Sequence, residues 1–383
     1  MTINNEHKKL NVPNLRFPEF QGEWKKTTIG DIADLYKGTG ISKDQLSDDG
    51  EPCILYGELY TKYKSETIRE VISKTNIDNT KLVRSKANDV IIPCSGETAE
   101  DIATARCVLN GNILLGGDLN IIRLHGYDGA FMSYQLNGRR KYDIAKVAQG
   151  VSVVHLYGEH LKGVKTINPC LEEQKKIAKL LSLLDERIAT QNKIIDKLQS
   201  LIKGLRNEIF WKLRKNVGFN AMIGDVLDYE QPQSYIVEDT EYIDKGTPVL
   251  TANKAFILGY TSETEGIYDK GDCIIFDDFT LDSKYVDFPF KVKSSAIKIL
   301  SAENKELLRY TFEFLKYLDL STSEHKRHYI AETQNQEFIL PTTQIVRTIA
   351  HTFSILSLRM ETAIKQRLLF EKQKQYLLRQ MFI

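Results

Sequence analysis

"INPCLEEQKKIAKLLSLLDERI", residues 167–188, and "LPTTQIVRTIAHTFSILSLRM", residues 340–360, are two versions of one sequence pattern. A shift of 172 residues aligns them without a gap over 169–210 and 341–382. Identical residues recur along the alignment at Ile177 and Ile349, Ser182 and Ser354, Arg187 and Arg359, and Leu205 and Leu377. A match of this length at a fixed offset indicates an internal repeat.

Both copies predict a long helix. In the first copy, a seven-residue repeat has apolar residues at every a and d position except Gln191: Ile177, Leu181, Leu184, Ile188, Ile195, Leu198, Ile202, Leu205 and Ile209. The second copy begins in the same frame with Ile349, Phe353, Leu356 and Met360. Arg367 and Lys374 then fall at d positions, and we expect Ile364 and Leu368 to supply the apolar contact one residue later. The pattern predicts a coiled coil of helices about 60 Å long. Two core helices of a globular domain remain the alternative.

Weaker matches outside the helices extend the repeat. They pair "TIGDIADL" (28–35) with "MIGDVLDY" (222–229), "GEPCIL" (50–55) with "GTPVLT" (246–251), "NDVIIP" (88–93) with "GDCIIF" (271–276), and "LNIIRL" (119–124) with "SAIKIL" (295–300). Such short β-branched runs, bounded by Gly, Pro, Asp and Asn, predict a strand-rich α+β globule in each copy.

The predicted domains alternate globule and helix. They are a first globule at 1–168, a first helix at 169–215, a second globule at 216–340 and a second helix at 341–383. The second helix can pair with the first only by running back antiparallel to it. We therefore expect a dumbbell with a pseudo-two-fold axis.

Composition limits the class of protein. The chain has 383 residues, 42% of them hydrophobic, and a net charge of +1, so it lacks the positive field of a protein that holds nucleic acid by phosphate contacts alone. The first residues contain no apolar run typical of a signal peptide, and no stretch approaches the roughly 20 apolar residues of a membrane span. The five cysteines lack a metal-binding spacing, so we assign no metal and expect a soluble, cytoplasmic protein with reduced thiols.

Enzymatic motifs are absent from the sequence. None of the nine prolines is followed by another, so the Pro-Pro loop of an adenine methyltransferase is missing. The dipeptide Gly-Lys of a phosphate-binding loop does not occur either. Glu-x-Lys triplets such as Glu173-Gln174-Lys175 are typical of solvated charged faces rather than of a nuclease site. We expect a protein that is not an enzyme.

Candidate DNA-reading residues are polar, basic or aromatic side chains in loop-like segments. In the first globule they are Lys62, Tyr63, Lys64, Ser95, Glu97, Thr98, Arg106, Arg139, Arg140, Lys141, Gln149, Ser152, His155 and Tyr157. In the second they are Asn253, Lys254, Lys284, Tyr285, His325, Lys326, Arg327, His328 and Gln334. The run "EHKRHYIAETQNQ", directly before the second helix, is the strongest single patch. For each residue the alternative is a solvated surface charge, and His155 and Tyr157 are equally compatible with packed positions.

The chain resembles the specificity subunit of type I restriction–modification systems. The resemblance rests on "VPNLRFPEFQGEWKKTTIGDI" (12–32), on the repeated helix segment and on the globule–helix order. It implies that each globule is a target recognition domain for one half of a bipartite site in double-stranded DNA. The helices would act as spacers that set the gap and dock two modification subunits.

Cofactors and catalysis belong, by the same resemblance, to partner subunits. The modification subunits would methylate adenine with S-adenosylmethionine, and a restriction subunit that uses ATP and Mg²⁺ would join them, while this chain needs no cofactor. The predicted order of globules and helices is consistent with this function. A rigid rod between two DNA-reading domains fixes the distance between the two grooves that they contact. A coiled-coil adaptor without DNA readout, or an unrecognised enzyme, is the competing hypothesis.

Overall fold

The structure, a computed structural model, describes residues 11–78, 80–150, 153–251, 256–322 and 326–383. The chain divides into two units. Unit 1 comprises Met1–Asn192 and Gln366–Ile383, and unit 2 comprises Lys193–Lys365. Each long helix therefore contributes one part to each unit.

Unit 1 contains short strands and helices followed by the start of a long helix. In chain order these are β1 (Lys25–Thr28), α1 (Ile29–Ile32), β2 (Ala33–Lys37), β3 (Leu46–Ser47), β4 (Glu51–Ile54), α2 (Glu58–Thr61), β5 (Thr67–Ile68), β6 (Ser73–Thr75), β7 (Asp89–Pro93), β8 (Ser95–Gly96), α3 (Ala99–Ile102), β9 (Arg106–Val108), β10 (Leu114–Leu115), β11 (Leu119–Leu124), α4 (Gly129–Asn137), α5 (Lys141–Val147), β12 (Val154–His155), α6 (Gly158–Lys162), β13 (Lys165–Asn168) and α7 (Leu171–Asn216).

Two larger sheets and the two-stranded pairs β1–β13 and β12–β8 lie in unit 1. The larger runs β2–β11–β7–β9–β5, and all its pairs are antiparallel except the β9–β5 pair. The smaller runs β10–β4–β6–β3, with β10 parallel to β4. Strand β7 is buried along its whole length, and α4 packs against it and against β9. The Asp128 carboxylate caps α4 by accepting from the Phe131 N–H at 2.8 Å.

Unit 2 has a similar but shorter set of elements. After α7 come β14 (Ala221–Met222), β15 (Asp228–Glu230), β16 (Thr247–Leu250), β17 (Ile257–Thr261), β18 (Cys273–Asp277), β19 (Ser283–Val286), β20 (Lys291–Val292), β21 (Ile297–Ser301), α8 (Lys305–Leu318), β22 (Glu337–Phe338) and α9 (Thr343–Met381). Its sheets run β15–β21–β18–β19 and β17–β16–β20.

The two units repeat one topology. The order β15–β21–β18–β19 reproduces β2–β11–β7–β9, and β16 pairs parallel with β20 as β4 does with β10. The pair β14–β22 likewise matches β1–β13. All four weak sequence matches fall on equivalent elements, since 50–55 and 246–251 contain β4 and β16, and 88–93 and 271–276 contain β7 and β18. The predicted α+β repeat is confirmed.

The sequence at the two ends of helix α7 explains where the helix begins and ends. Glu172 and Glu173 lie in its first turn, and Arg214 and Lys215 in its last, so the charges complement the helix dipole at both ends. After the last turn, Gly218 adopts φ +76° and donates its N–H to the Leu213 carbonyl at 3.2 Å. That geometry ends a helix with glycine in the left-handed region.

The predicted seam residues face inward. In unit 1, Ile177, Leu181 and Leu184 are buried and Ile188 is half-buried. In unit 2, Ile195, Ile202, Ile349 and Phe353 are buried, whereas Leu198, Leu205, Ile209, Leu356 and Met360 are half-buried. Within unit 1, Lys374 meets Asp185 and Gln366 meets Gln191, so the paired segments of α7 and α9 run antiparallel.

The heptad frame of α9 continues where we expected it to shift. Leu368 is 43% exposed, so the expectation that it supplies a seam contact is wrong. Instead Ala363, Leu377 and Met381 stay buried in the original frame. Lys374 keeps its d position because carboxylates from other elements neutralise it.

Candidate nucleic-acid interface

Three unit 1 candidates meet beside the end of β7. Strands β8 and β12 pair antiparallel, so that Ser95 lies opposite His155. The His155 N–H donates to the Gln149 carbonyl at 2.7 Å, and the Gln149 N–H donates back at 2.8 Å. Because these bonds use backbone groups, the side chains of Gln149 and His155 stay exposed and can contact a ligand.

An exposed aromatic and cationic group adjoins this cluster. The Tyr157 ring lies 6.2 Å from the His155 ring and 5.6 Å from the His160 ring, and it is 44% exposed. The Lys37 ammonium, at the end of β2, lies 5.9 Å from the same ring. A cation beside exposed rings can contact both phosphate and base faces.

A cleft of about 570 Å³ opens next to Ser95. Its walls include Tyr56, Tyr60, Gly96 and Val153. The Tyr60 hydroxyl donates to the Ser95 carbonyl at 3.3 Å, and burial raises the pKa of Tyr60 well above its ordinary value. Tyr60 therefore acts as a neutral wall that supports the loop.

Acidic side chains line the same cleft. Glu97 is exposed, and the Asp101 carboxylate accepts from the Thr98 hydroxyl at 2.7 Å. Thr98 also caps α3, because its Oγ1 accepts from the Asp101 N–H at 3.0 Å. The Thr98 side chain is thus used in stabilising the loop. An exposed carboxylate such as Glu97 can instead accept a hydrogen bond from the amino group of cytosine or adenine.

The "YTKYK" candidates mostly serve the globule itself. The Lys62 ammonium donates to Glu58 at 2.7 Å and to Ser73 at 2.6 Å. Tyr63 is buried, and burial raises its pKa to about 12. Lys64 is exposed and donates to the Tyr60 carbonyl at 3.1 Å.

Arg106 is also engaged within unit 1. Its guanidinium donates to the carbonyls of Ala105 at 3.1 Å and Tyr63 at 3.2 Å. Burial lowers the pKa of Arg106. These bonds direct its charge into the globule.

Arg139 and Arg140 bind carbonyls at and just beyond the end of α9. Arg139 donates to the Arg379 carbonyl at 2.7 Å, and Arg140 donates to the Ile383 carbonyl at 2.9 Å. Cations stabilise the carbonyl end of a helix, which carries partial negative charge. Lys141, next in the sequence, begins α5.

The basic patch of unit 2 is anchored by acidic residues. Asp278 Oδ1 accepts from the backbone N–H groups of His328 at 3.0 Å and Tyr329 at 2.8 Å. Glu332 meets the Lys326 ammonium and the His328 Nδ1, each at 2.9 Å, and the pKa of Glu332 is lowered, chiefly by Lys326 and then by His328. His328 is buried, whereas Arg327 is exposed.

Two of the remaining unit 2 candidates, Lys284 and Tyr285, lie apart from this patch in the sequence, whereas Gln334 lies within it. Lys284 pairs with Asp282 at 2.9 Å, and the Tyr285 hydroxyl donates to Asp272 at 2.8 Å. The Gln334 amide donates to the Ile330 carbonyl at 2.8 Å. Ser152, Asn253, Lys254 and His325 lie outside the described residues.

The candidate DNA-reading segments of the two units are equivalent. The 172-residue offset carries His155 to Arg327 and Tyr157 to Tyr329. In unit 1 the Leu156 N–H donates to the Cys94 carbonyl at 2.8 Å, and in unit 2 the His328 N–H donates to the Asp278 carbonyl at 3.0 Å. Both bonds hold the segment beside the end of β7 or β18. An exposed side chain, His155 or Arg327, therefore occupies the same place in each unit.

Sequence reasoning missed Lys37 and Tyr56. Tyr56 is 39% exposed in the cleft, and Lys37 ends β2, far along the chain from the loop it adjoins. Extending the 172-residue offset upstream of Pro169 would have identified the His155–Arg327 equivalence, but it would not have identified these two residues.

Two negative observations apply to the residues that the structure describes. Among them, no helix is both long and apolar enough to cross a membrane. In the same part of the chain, no group of three or more His, Cys, Asp or Glu side chains is arranged to hold a metal ion.

Known proteins share sequence with this chain. Residues 21–200 match the family model for the type I restriction modification DNA specificity domain. A stretch of 126 residues, 31% of this chain, is 46% identical to the EcoR124I/EcoR124II type I restriction enzyme specificity subunit of Escherichia coli and covers 31% of it. A stretch of 199 residues, 52% of this chain, is 29% identical to the MjaVIII specificity subunit of Methanocaldococcus jannaschii and covers 44% of it. The matched stretches thus span about a third to a half of these relatives.

A solved structure shares the fold. The type I restriction-modification system S subunit from M. genitalium superposes with a TM-score of 0.72, covering 97% of this chain and 99% of that one at 18% identity. At this identity the likeness concerns the fold. Residues 21–200, just under half of this chain, are therefore similar to the type I restriction modification DNA specificity domain.

Proposed function

We propose that this chain is the DNA specificity subunit of a type I restriction–modification complex. Each globule reads one half of a bipartite site in double-stranded DNA, and the two long helices set the gap between the halves. The chain itself is not an enzyme.

One observation carries the proposal: two units of the same topology present an equivalent exposed loop. His155 in unit 1 and Arg327 in unit 2 lie beside the ends of the matching strands β7 and β18. Arginine donates to guanine, and histidine can donate to acceptors on base edges or phosphates. Two differing readers on a repeated scaffold suit a site with two different halves.

The helices support a docking role for partner subunits. Large apolar side chains are exposed along both of them, at Leu183, Leu201, Trp211, Leu358 and Leu369. Exposed apolar side chains can bind a partner where they form a contiguous patch. Two modification subunits would bind here, and a restriction subunit would join them in the cytoplasm. These partners would supply the S-adenosylmethionine, ATP and Mg²⁺ chemistry.

A domain exchange tests the proposal. Residues 217–340 are replaced by the second globule of a relative that reads a different site, and the chain is expressed with its modification subunits. Genome-wide mapping of methylated adenines should show one half-site changed, with the other half and the gap retained. A strain that lacks the chain is the control and should show no such methylation.

The adaptor alternative predicts the opposite result. A coiled-coil adaptor without DNA readout would leave the methylated sequence unchanged after the exchange. If both half-sites change together, the globules do not read independently, and the modular proposal is wrong.

A further inference from the structure

A lysine occupies the helix seam of unit 1 where an apolar residue is expected. Lys374 lies at a d position of α9, and its side chain is 13% exposed. Its ammonium contacts Glu66 Oε2 at 2.5 Å and Asp185 Oδ1 at 2.6 Å. Glu66 lies in the globule, between α2 and β5, and Asp185 lies on α7. One side chain thus joins both helices to the globule.

Two further globule side chains complete the network. Asp185 Oδ2 accepts from the Tyr134 hydroxyl of α4 at 2.6 Å and from the Ser65 hydroxyl at 2.9 Å. Tyr134 is fully buried. Burial and the Asp185 charge both raise the pKa of Tyr134, so it stays a neutral donor. Both carboxylate oxygens of Asp185 therefore have hydrogen-bond partners, and these partners lie outside α7.

The two carboxylates keep Lys374 charged. Burial by itself would lower the pKa of Lys374, but Glu66 and Asp185 outweigh burial, and the net pKa is raised. Lys374 is consequently protonated at neutral pH. A buried charge is stable only in the arrangement of helices and globule that keeps its partners in contact, so every other arrangement costs free energy. An apolar contact instead tolerates sliding and repacking.

In unit 2, different side chains connect the globule to the two helices at the equivalent position. The 172-residue offset carries Asp185 to Ser357 and Lys374 to Ile202. There Arg309 of α8 donates to Ser357 Oγ at 2.5 Å and to Glu313 at 2.7 Å, and Glu313 also pairs with Arg206 of α7 at 2.7 Å. Both globules are thus fixed to their helices by buried charged groups.

We propose that Lys374 is a positioning residue that orients the reading globule of unit 1 on its helix pair. It acts through Glu66 and Asp185 and does not touch DNA. This role rests on the proposed function, since orientation matters for readout only if two globules must meet two half-sites at once.

The experiment uses the full chain with its modification subunits. The probes are duplexes that carry the two half-sites mapped from wild-type methylation, with the native gap or with one base pair more or fewer. The variant Lys374→Met/Asp185→Asn/Glu66→Gln removes all three charges at nearly constant size. We expect it to fold and to lose about tenfold in its preference for the native gap. The reason is that binding both half-sites at once raises affinity by roughly 10²–10⁴-fold over either half-site alone.

Controls separate a positioning role from simple stability. Lys374→Arg retains the charge and should retain the gap preference, whereas Lys374→Met alone should lower the melting temperature because two buried carboxylates lose their counter-ion. If the triple variant does not fold, Glu66→Gln, which leaves Asp185 to neutralise Lys374, carries the same gap test.

Two outcomes would overturn the inference. One is a folded neutral variant whose gap preference stays within twofold of wild type. The other is a Lys374→Met protein as stable as wild type. Absence of sequence-selective binding by the wild-type complex would instead reject the proposed function.

Discussion

His155 and Arg327 occupy the same place in the two copies of the repeat, but they present different chemistry. Arginine can pair bidentately with guanine, whereas histidine offers a single donor or acceptor from each ring nitrogen. Their neighbours Leu156 and His328 are buried and hold the loops in place. At the scale of single residues, exposure separates the candidate DNA-reading side chains from those that support them.

Reciprocal alanine variants test this assignment. Arg327→Ala should weaken binding to the second half-site by about 1–3 kcal/mol if the arginine pairs bidentately with a base, and should flatten the salt dependence if it contacts phosphate. His155→Ala should affect only the first half-site. Fluorescence titrations against duplexes with one half-site scrambled measure both, and each variant is the control for the other. Unchanged affinities and salt slopes would contradict the assignment.

At the scale of elements, globule 1 holds the ends of both long helices. Arg16 makes two hydrogen bonds of 2.8 Å to Glu173 in the first turn of α7. Glu173 is buried, so the expectation that it lies on a solvated face is wrong. Arg139 binds the Arg379 carbonyl in the last turn of α9, and Arg140 binds the carbonyl of Ile383, just beyond its end. A long helix with few local constraints frays from its ends, so these contacts keep the last turns in register.

Removal of the arginine cap should loosen α9. Arg139→Ala/Arg140→Ala is expected to lower the free energy of unfolding by about 1–3 kcal/mol, since hydrogen bonds from charged donors contribute about 1.5–3 kcal/mol each and exposed ones less. Amide exchange in the last turn of α9 should accelerate more than exchange in the middle of the helix. Lys372→Ala, which removes an exposed charge from the same helix, is the control and should change neither quantity.

At the scale of the whole molecule, the paired helices are the feature that would set the gap. Gln191 and Gln366 lie 3.1 Å apart, and Arg367 meets Asn192 at 3.5 Å, so these positions are at the same level of the pair. A matched insertion after Asn192 and after Lys365 would therefore lengthen both helices at one point without changing the heptad frame.

Such an insertion tests the ruler. One heptad in each helix adds about 10 Å of rise, which should lengthen the recognised gap by roughly three base pairs at ~3.4 Å per base pair. The methylation map of the complex is the measurement. A heptad in α7 alone should leave apolar residues without partners and lower the melting temperature sharply. A doubly extended protein that folds and still methylates the original site would show that the helices do not measure distance.

The sequence by itself determined the repeat, the two helices and the strand-rich globules, because periodicity and a fixed offset are local properties that can be read along the chain. It did not distinguish reading residues from supporting ones. From the sequence, Arg140 is expected to be an exposed cation, but it binds the carbonyl of a residue 243 positions away. Lys374 is expected to interrupt the heptad pattern, but it pairs with Glu66, 308 positions away in the chain. Whether a charge is buried depends on counter-ions that only folding brings to it, and that was decided by the tertiary structure.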